Sequence, residues 1–176
     1  MTFEEIHTKL REKFGSSGVG ETAERGQVGE PWCTVASPDE VHGVALYLRD
    51  EPSLAFDYLV CLSGVDYSDR TEVVYHLLSY TFRHDFTIKV KLTRDNPVVP
   101  SLSDIWPAAN WHEREAYDLV GVLFAGHPDL RRILLPTDWV GHPLRVDWQE
   151  GADYHGIGTT RVSSLDLWAA HDKEVK

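Results

Sequence analysis

Several residue groups are of types that could do chemistry. His112-Glu113 opens like H-E-x-x-H, in which two histidines one helical turn apart hold zinc and the glutamate serves as base. The second histidine would fall at 116, where Ala116 stands, so the motif is absent and His112 is expected at the edge of a core. Gly18-Val19-Gly20-Glu21-Thr22-Ala23 fits the glycine fingerprint of dinucleotide-binding loops. That fingerprint works only between a strand and a helix; here an amphipathic helix precedes it and a Glu/Gly-rich stretch follows, which predicts a loop. His127 and His142 are open to a general-base reading because histidine titrates near neutrality. No Ser or Cys in a nucleophile context such as G-x-S-x-G stands near them. Cys33 and Cys61 are the only cysteines and no C-x-x-C occurs, so neither a cysteine-ligated cluster nor a structural zinc is expected from this chain alone. Two isolated thiols fit a reducing compartment.

Two further groupings point to contacts rather than to catalysis. Glu113, Arg114, Glu115 and Asp118 crowd one helix. Arg114 and Asp118 are i,i+4 neighbours in the weaker orientation, worth a few tenths of a kcal/mol on a solvated face. The sharper expectation is an interface helix whose charges pair with a partner or with arginines further along the chain. Gly-His-Pro occurs twice, at 126–128 and 141–143, and leads to Arg131 and Arg132 after the first copy and Arg145 after the second. Proline holds the preceding residue extended, and arginine offers a planar five-donor fork. The pattern predicts a stiff extended strap with cationic anchors. Residues 126–147 hold three Arg and three Asp, so the strap is neutral inside a chain of formal charge −11. Trp106, Trp111, Trp139, Trp148 and Trp168 all fall in the second half, and Trp and Arg are enriched where proteins dock.

The charge of −11 argues against nucleic acid as a partner and against an anionic membrane surface. No run approaches the roughly 18 apolar residues that span a bilayer, and MTFEEIHTKL has no secretory pattern, so work at a membrane is expected to go through partners.

Thr2 and Glu5 form a capping-box pattern ahead of Phe3, Ile6, Leu10 and Phe14, with Gly15 as the stop. Residues 15–30 read as a loop with a frayed strand, and Trp32–Ala36 as a short strand. Ser37, Pro38 and Glu40 mark a second capped helix with a Val41, Ala45, Leu48 stripe. Strands are expected at Leu54–Leu62, Glu72–Phe82 and Phe86–Thr93, with Ser63–Arg70 as a polar turn and Arg83-His84-Asp85 as a hairpin turn. The last strand alternates cleanly, Phe86, Ile88, Val90 and Leu92 against Thr87, Lys89, Lys91 and Thr93. A third helix runs from about Pro107 to Val120, with Gly121 as its stop and Ala109, His112, Ala116 and Leu119 on one face. These elements predict an α+β fold, a mixed or antiparallel sheet with helices on one face, over residues 1–121. Residues 122–176 are expected as an extended, loop-rich interaction tail.

Three linked blocks carry a family resemblance. Ala109-Asn110-Trp111-His112-Glu113-Arg114-Glu115-Ala116-Tyr117-Asp118-Leu119-Val120-Gly121, then Phe124 to Leu134 through Gly126-His127-Pro128, then Trp139-Val140-Gly141-His142-Pro143-Leu144-Arg145, resemble a cofactor-free component of proton-pumping NADH–quinone oxidoreductase (complex I), the one designated C. The match covers about residues 100–150. The family usually continues Leu-Arg with Lys-Asp and an aromatic; here Val146 replaces the lysine, while Asp147 and Trp148 fit. The resemblance implies a non-catalytic clamp of the hydrophilic arm, peripheral on the cytoplasmic side of the membrane. Its neighbours would be the quinone-site subunit and the subunit carrying the terminal iron–sulfur cluster. It implies no cofactor or metal on this chain, with FMN and iron–sulfur clusters on other subunits. Glu113, Arg114, Glu115, Asp118, His127, Arg131, Arg132, His142 and Arg145 are then expected as structural contacts. The same scaffold in a membrane-bound hydrogenase or a plastoquinone-reducing photosynthetic complex, or a free-standing enzyme using the His/Glu-rich face, are the alternatives.

Overall fold

The computed structural model describes residues 1–23 and 32–159. The expectations for 24–31 and for Trp168 lie outside the described residues. Helix α1 (Phe3–Gly18) starts on the expected capping box, with the Glu5 N–H donating to Thr2 Oγ1 and the Thr2 N–H to Glu5 Oε2 at 2.8 Å. Gly15 breaks it at φ +68, a conformation that costs glycine little, and the chain turns into β1 (Val19–Ala23). The glycine fingerprint thus continues into a strand, not a phosphate-binding helix.

Strand β2 (Trp32–Val35) leads into a 3-10 turn, Pro38–Glu40, and then α2 (Val41–Asp50). The box expected on Ser37 does not form. The tighter turn lets the Glu40 N–H donate to the Ser37 carbonyl at 3.1 Å, and the Ser37 side chain makes no capping bond.

Strand β3 (Tyr58–Asp66) lies four residues later than expected, and β4 (Arg70–Ser79) and β5 (His84–Thr93) follow. Residues 63–66 are mostly polar or small, yet they pair in register with 71–74, because Asp66 is buried and has partners. The hairpin between β4 and β5 turns before His84, with Arg83 at φ +54 and its N–H on the Ser79 carbonyl at 2.8 Å. His84 stays in the strand because its Nε2 reaches the Leu54 carbonyl at 2.9 Å.

The five strands run in the order β1-β2-β5-β4-β3, parallel between β2 and β5 and antiparallel elsewhere. Phe86, Ile88, Val90 and Leu92 of β5 face the core with Ile6 and Leu10 of α1 and Val41, Val44, Ala45 and Leu48 of α2. Trp32, Val74, His76 and Lys89 lie on the opposite face, where Lys89 Nζ sits 4.2 Å from the Trp32 ring centre. The architecture is α+β, a mixed sheet with helices on one face.

Beyond the sheet, β6 (Val98–Pro100) and β7 (Leu123–Ala125) pair in parallel across α3 (Ala109–Val120). Gly121 ends α3 in the left-handed region at φ +84, its N–H donating to the Ala116 and Tyr117 carbonyls. Helix α3 packs on β3 at Gly64, where a Cβ would stand 3.4 Å from those of Ala116 and Val120. Val122 and Phe124 are buried in the core, so the body continues past Gly121 before the tail departs. Residues 126–152 then run without helix or strand, up to a short hairpin of β8 (Asp153–Tyr154) and β9 (Ile157–Gly158).

Candidate functional site

Most of the charged residues of α3 and the arginines and histidines of the tail are brought together in neighbouring contacts. Asp118 is the centre of one group. Its Oδ2 accepts three consecutive backbone N–H groups, from Ile133 at 3.0 Å and from Leu134 and Leu135 at 2.8 Å each, while Oδ1 takes Arg132 Nη1 at 2.8 Å. Burial alone would push this carboxyl up. The N–H groups of Leu135, Leu134 and Ile133 and the Arg132 guanidinium reverse that and hold it below the usual carboxylate range. A helix side chain thereby does for the tail what a neighbouring strand would do, giving part-buried backbone donors an acceptor.

The other contacts lock the same segment. Arg132 also donates to the Gly141 carbonyl at 3.2 Å. Arg114, a turn before Asp118 on α3, reaches instead to the Arg131 and Arg132 carbonyls at 3.2 and 3.3 Å, with Trp111 under its guanidinium. His142 Nδ1 donates to the Asp118 carbonyl at 2.9 Å, and its ring packs against Gly121, where a Cβ would come within 2.7 Å. Both Gly-His-Pro copies therefore dock their histidines on α3.

Glu113 and His127 lie at the N-terminal end of the helix, their side chains both 0% exposed. Glu113 accepts from the Ser101 hydroxyl at 2.6 Å and the Leu102 N–H at 2.7 Å. Burial nevertheless raises its carboxyl to about 7. His127 Nδ1 accepts the Asp129 N–H at 3.0 Å, which leaves the proton on Nε2, facing the Asn110 carbonyl at 3.2 Å and Glu113 Oε2 at 3.9 Å. With both nitrogens engaged inside the chain, neither is presented to a substrate as a base.

A second clasp holds the far end of the strap. Arg94 bonds the buried Asp66 at 2.8 Å and Asp147 at 2.8 Å. Asp66 also accepts the Val146 N–H at 2.9 Å, and Arg145 Nη2 donates to the Arg94 carbonyl at 2.7 Å. Burial would raise Asp66; the Arg94 bond and the Val146 N–H outweigh it and lower the carboxyl. At 146 it is the backbone that makes contact, so a valine serves in the position where the family usually has lysine.

Of the nine residues picked from the sequence, Arg114, Asp118, Arg132 and His142 make up the contacts around Asp118, Glu113 and His127 lie together at 3.9 Å, and Arg145 belongs to the Arg94 clasp. Glu115 is exposed, and exposed Arg131 pairs locally with Asp129 at 2.8 Å. The engaged side chains face their own chain. Beside exposed polar residues such as Asp129, Thr137 and Asp147, the strap turns four aliphatic side chains outward: Leu134, Val140, Leu144 and Val146 are 60%, 85%, 60% and 68% exposed. Asp66, Arg94 and Ser101 were not anticipated. Asp66 and Arg94 fall in polar stretches with nothing to mark a pairing across 28 residues, and Ser101 stands between apolar neighbours with nothing to mark Glu113 as its partner.

Among the described residues, no three or more His, Cys, Asp or Glu are grouped to hold a metal ion, and no helix is long and apolar enough to cross a membrane. Cys33 is buried, which raises its thiol to about 12, and Cys61 is also unpaired.

Residues 34–154 match the family described as respiratory-chain NADH dehydrogenase, 30 Kd subunit. A relative in Chlorobium phaeobacteroides, the C-designated component of NADH-quinone oxidoreductase, is 46% identical over 84% of this chain and 89% of its own. The protein of the same name in Chloroherpeton thalassium is 45% identical over 84% of this chain, which spans only 61% of that protein's length. Among solved structures, a trypsin-resistant fragment of Nqo5 superposes with a TM-score of 0.55 at 27% identity, over 74% of this chain and all of the fragment. A chain of the archaeal membrane-bound sulfane sulfur reductase gives 0.59 at 26% identity, over 77% of each chain. With the family pattern covering α2, β3 to β5 and the α3–tail network, this chain belongs to the 30 kDa subunit family of the respiratory-chain NADH dehydrogenases, the NADH–quinone oxidoreductases.

Proposed function

We propose that this chain is a non-catalytic structural subunit of the hydrophilic arm of proton-translocating NADH–quinone oxidoreductase. It supports electron transfer from NADH to quinone while binding no cofactor itself. The observation that carries this reading is the strap's construction. Its backbone is fastened to α3 and β3 by buried charges, and four of its aliphatic side chains, Leu134, Val140, Leu144 and Val146, are left pointing outward. Alone in water, four exposed aliphatic residues on one segment gain nothing; against a neighbouring protein they are removed from water at about 25 cal/mol per Å². The neighbours in this reading are the quinone-site subunit and the terminal-cluster subunit, with the assembly peripheral on the cytoplasmic side of the membrane.

Mass spectrometry of what co-purifies with this chain in mild detergent tests the reading. Recovery with iron–sulfur and quinone-site subunits is the expected result; a lone monomer with an activity of its own overturns it. The likeness to a chain of the sulfane sulfur reductase favours one second reading, the same scaffold in a related respiratory machine. The co-purifying electron-input subunits distinguish the two.

A further inference from the structure

Beyond the α3 network, the tail builds a groove of about 440 Å³ between residues 138 and 159. Its walls are aromatic. The Trp139 and Trp148 rings stack at 6.0 Å and 20°, and Tyr154 leans on Trp139 at 5.3 Å. These walls are held in place by specific contacts. Trp148 Nε1 donates to the Val140 carbonyl at 3.1 Å, and the Tyr154 hydroxyl to Asp138 Oδ1 at 3.0 Å. Gly141, at φ +80, lets the Trp148 indole close to a point where a Cβ would be 2.8 Å away.

The charge of the groove has one sign. Asp138, Glu150 and Asp153 line it, and no Lys or Arg does among the described residues. Asp138 is held by Tyr154 and His155, and Asp153 caps the turn at Gly156, but Glu150 has no partner among the described residues. Aromatic faces beside carboxylates attract a cation by the ring quadrupole and by charge together. A guanidinium suits flat indole walls better than an ammonium because it stacks in a plane and forks to a carboxylate.

The strap's own arginines are committed elsewhere: Arg131 to Asp129, Arg132 to Asp118 and Arg145 to the Arg94 carbonyl. A second copy of a chain of charge −11 would be repelled. We propose that this groove docks an arginine side chain from an extended segment of a neighbouring subunit. The inference rests on the structural-subunit reading above and names the chemistry of one contact within it.

Two measurements test it. In the first, the purified full chain is titrated with the peptide acetyl-Gly-Arg-Gly-amide, and the Trp139 and Trp148 indole N–H resonances are followed. A saturable shift is expected. It should be weakened about two- to fivefold by Glu150→Gln, an exposed change that leaves the fold intact, and be absent with acetyl-Gly-Gln-Gly-amide. Equal shifts with both peptides, or none with either in both the native chain and Arg161→Gln, overturn the proposal. A shift that emerges only in Arg161→Gln identifies the chain's own Arg161 as the occupant and overturns it too. In the second, a photo-crosslinker replaces Gln149 in the purified complex. An arginine-bearing peptide of another subunit is expected; a cross-link to this chain's own 160–176, to a peptide without arginine, or to nothing overturns the docking assignment. Failure of the structural-subunit reading is seen separately, as absence of partner subunits from the preparation.

Discussion

Asp118→Ala removes the acceptor shared by the Ile133, Leu134 and Leu135 N–H groups and the Arg132 guanidinium. Removing one partner of a buried ion pair costs about 3–5 kcal/mol, and each stranded buried donor about 1–3 kcal/mol. The full sum is not reached, because the strap can lift off α3 and give its N–H groups to water. The lower figure, about 3–5 kcal/mol, is therefore the expected loss, and it should appear as local opening rather than global unfolding. Native-state hydrogen exchange reads it directly. Protection of the 133–135 amides should fall roughly a hundred- to a few thousandfold, while β4 and β5 amides change little. Asp118→Asn, which keeps an acceptor oxygen but no charge, should fall between. The native chain should show the same opening in acid. A depressed carboxyl contributes stability above its unfolded value, and that stability is lost as pH falls through the folded one. Unchanged protection at 133–135 in Asp118→Ala, or equal loss across the whole sheet, would mean that Asp118 does not fasten the strap to α3.

Glu113 behaves in the opposite sense. Its folded carboxyl is raised to about 7 from 4.5, so its burial is least costly below pH 4.5 and the penalty grows as pH rises to about 7. Glu113→Gln should gain on the native chain by on the order of 3 kcal/mol at pH 8 and lose that advantage towards pH 4.5; urea unfolding at both ends checks this, and a pH-independent difference contradicts it. Gly121→Ala places a Cβ 2.7 Å from His142 at φ +84 and should cost about 1–2 kcal/mol in backbone strain plus the displacement of His142. Adding His142→Ala should remove the clash component and leave the strain, as read by thermal unfolding. Arg94→Ala leaves Asp66 buried without its cation and should cost about 3–5 kcal/mol. Asp66→Asn in the same chain should recover part of that loss, and a strictly additive double mutant would show that the pair is not coupled.

The elements fixed by local rules were legible in the sequence. The Thr2–Glu5 box, the alternation from Phe86 to Leu92 and the left-handed stop at Gly121 each depend on neighbours within one turn or one strand. Where the structure differs, a distant contact decides. Strand β3 runs on to Asp66 because Arg94, Thr71 and Val146 give that carboxylate partners. His84 stays in β5 because the Leu54 carbonyl receives it. The site was legible as residue types and as a pairing of α3 charges with arginines further along the chain, but not residue by residue. Asp118 takes Arg132 rather than Arg114, and three of its bonds go to backbone N–H groups, which every residue but proline carries and which no sequence pattern marks. The outward aliphatic row of the strap was likewise hidden, since Leu134, Val140, Leu144 and Val146 share no period.

In the proposed function the α3 network shapes a docking strap and takes no part in electron transfer. The most direct test is Arg132→Ala in the whole assembly, measuring both the amount of complex recovered and NADH–quinone turnover per complex. Less complex with normal turnover in what assembles is the expected outcome; normal amounts of complex that no longer reduce quinone would put the α3 network in the reaction instead.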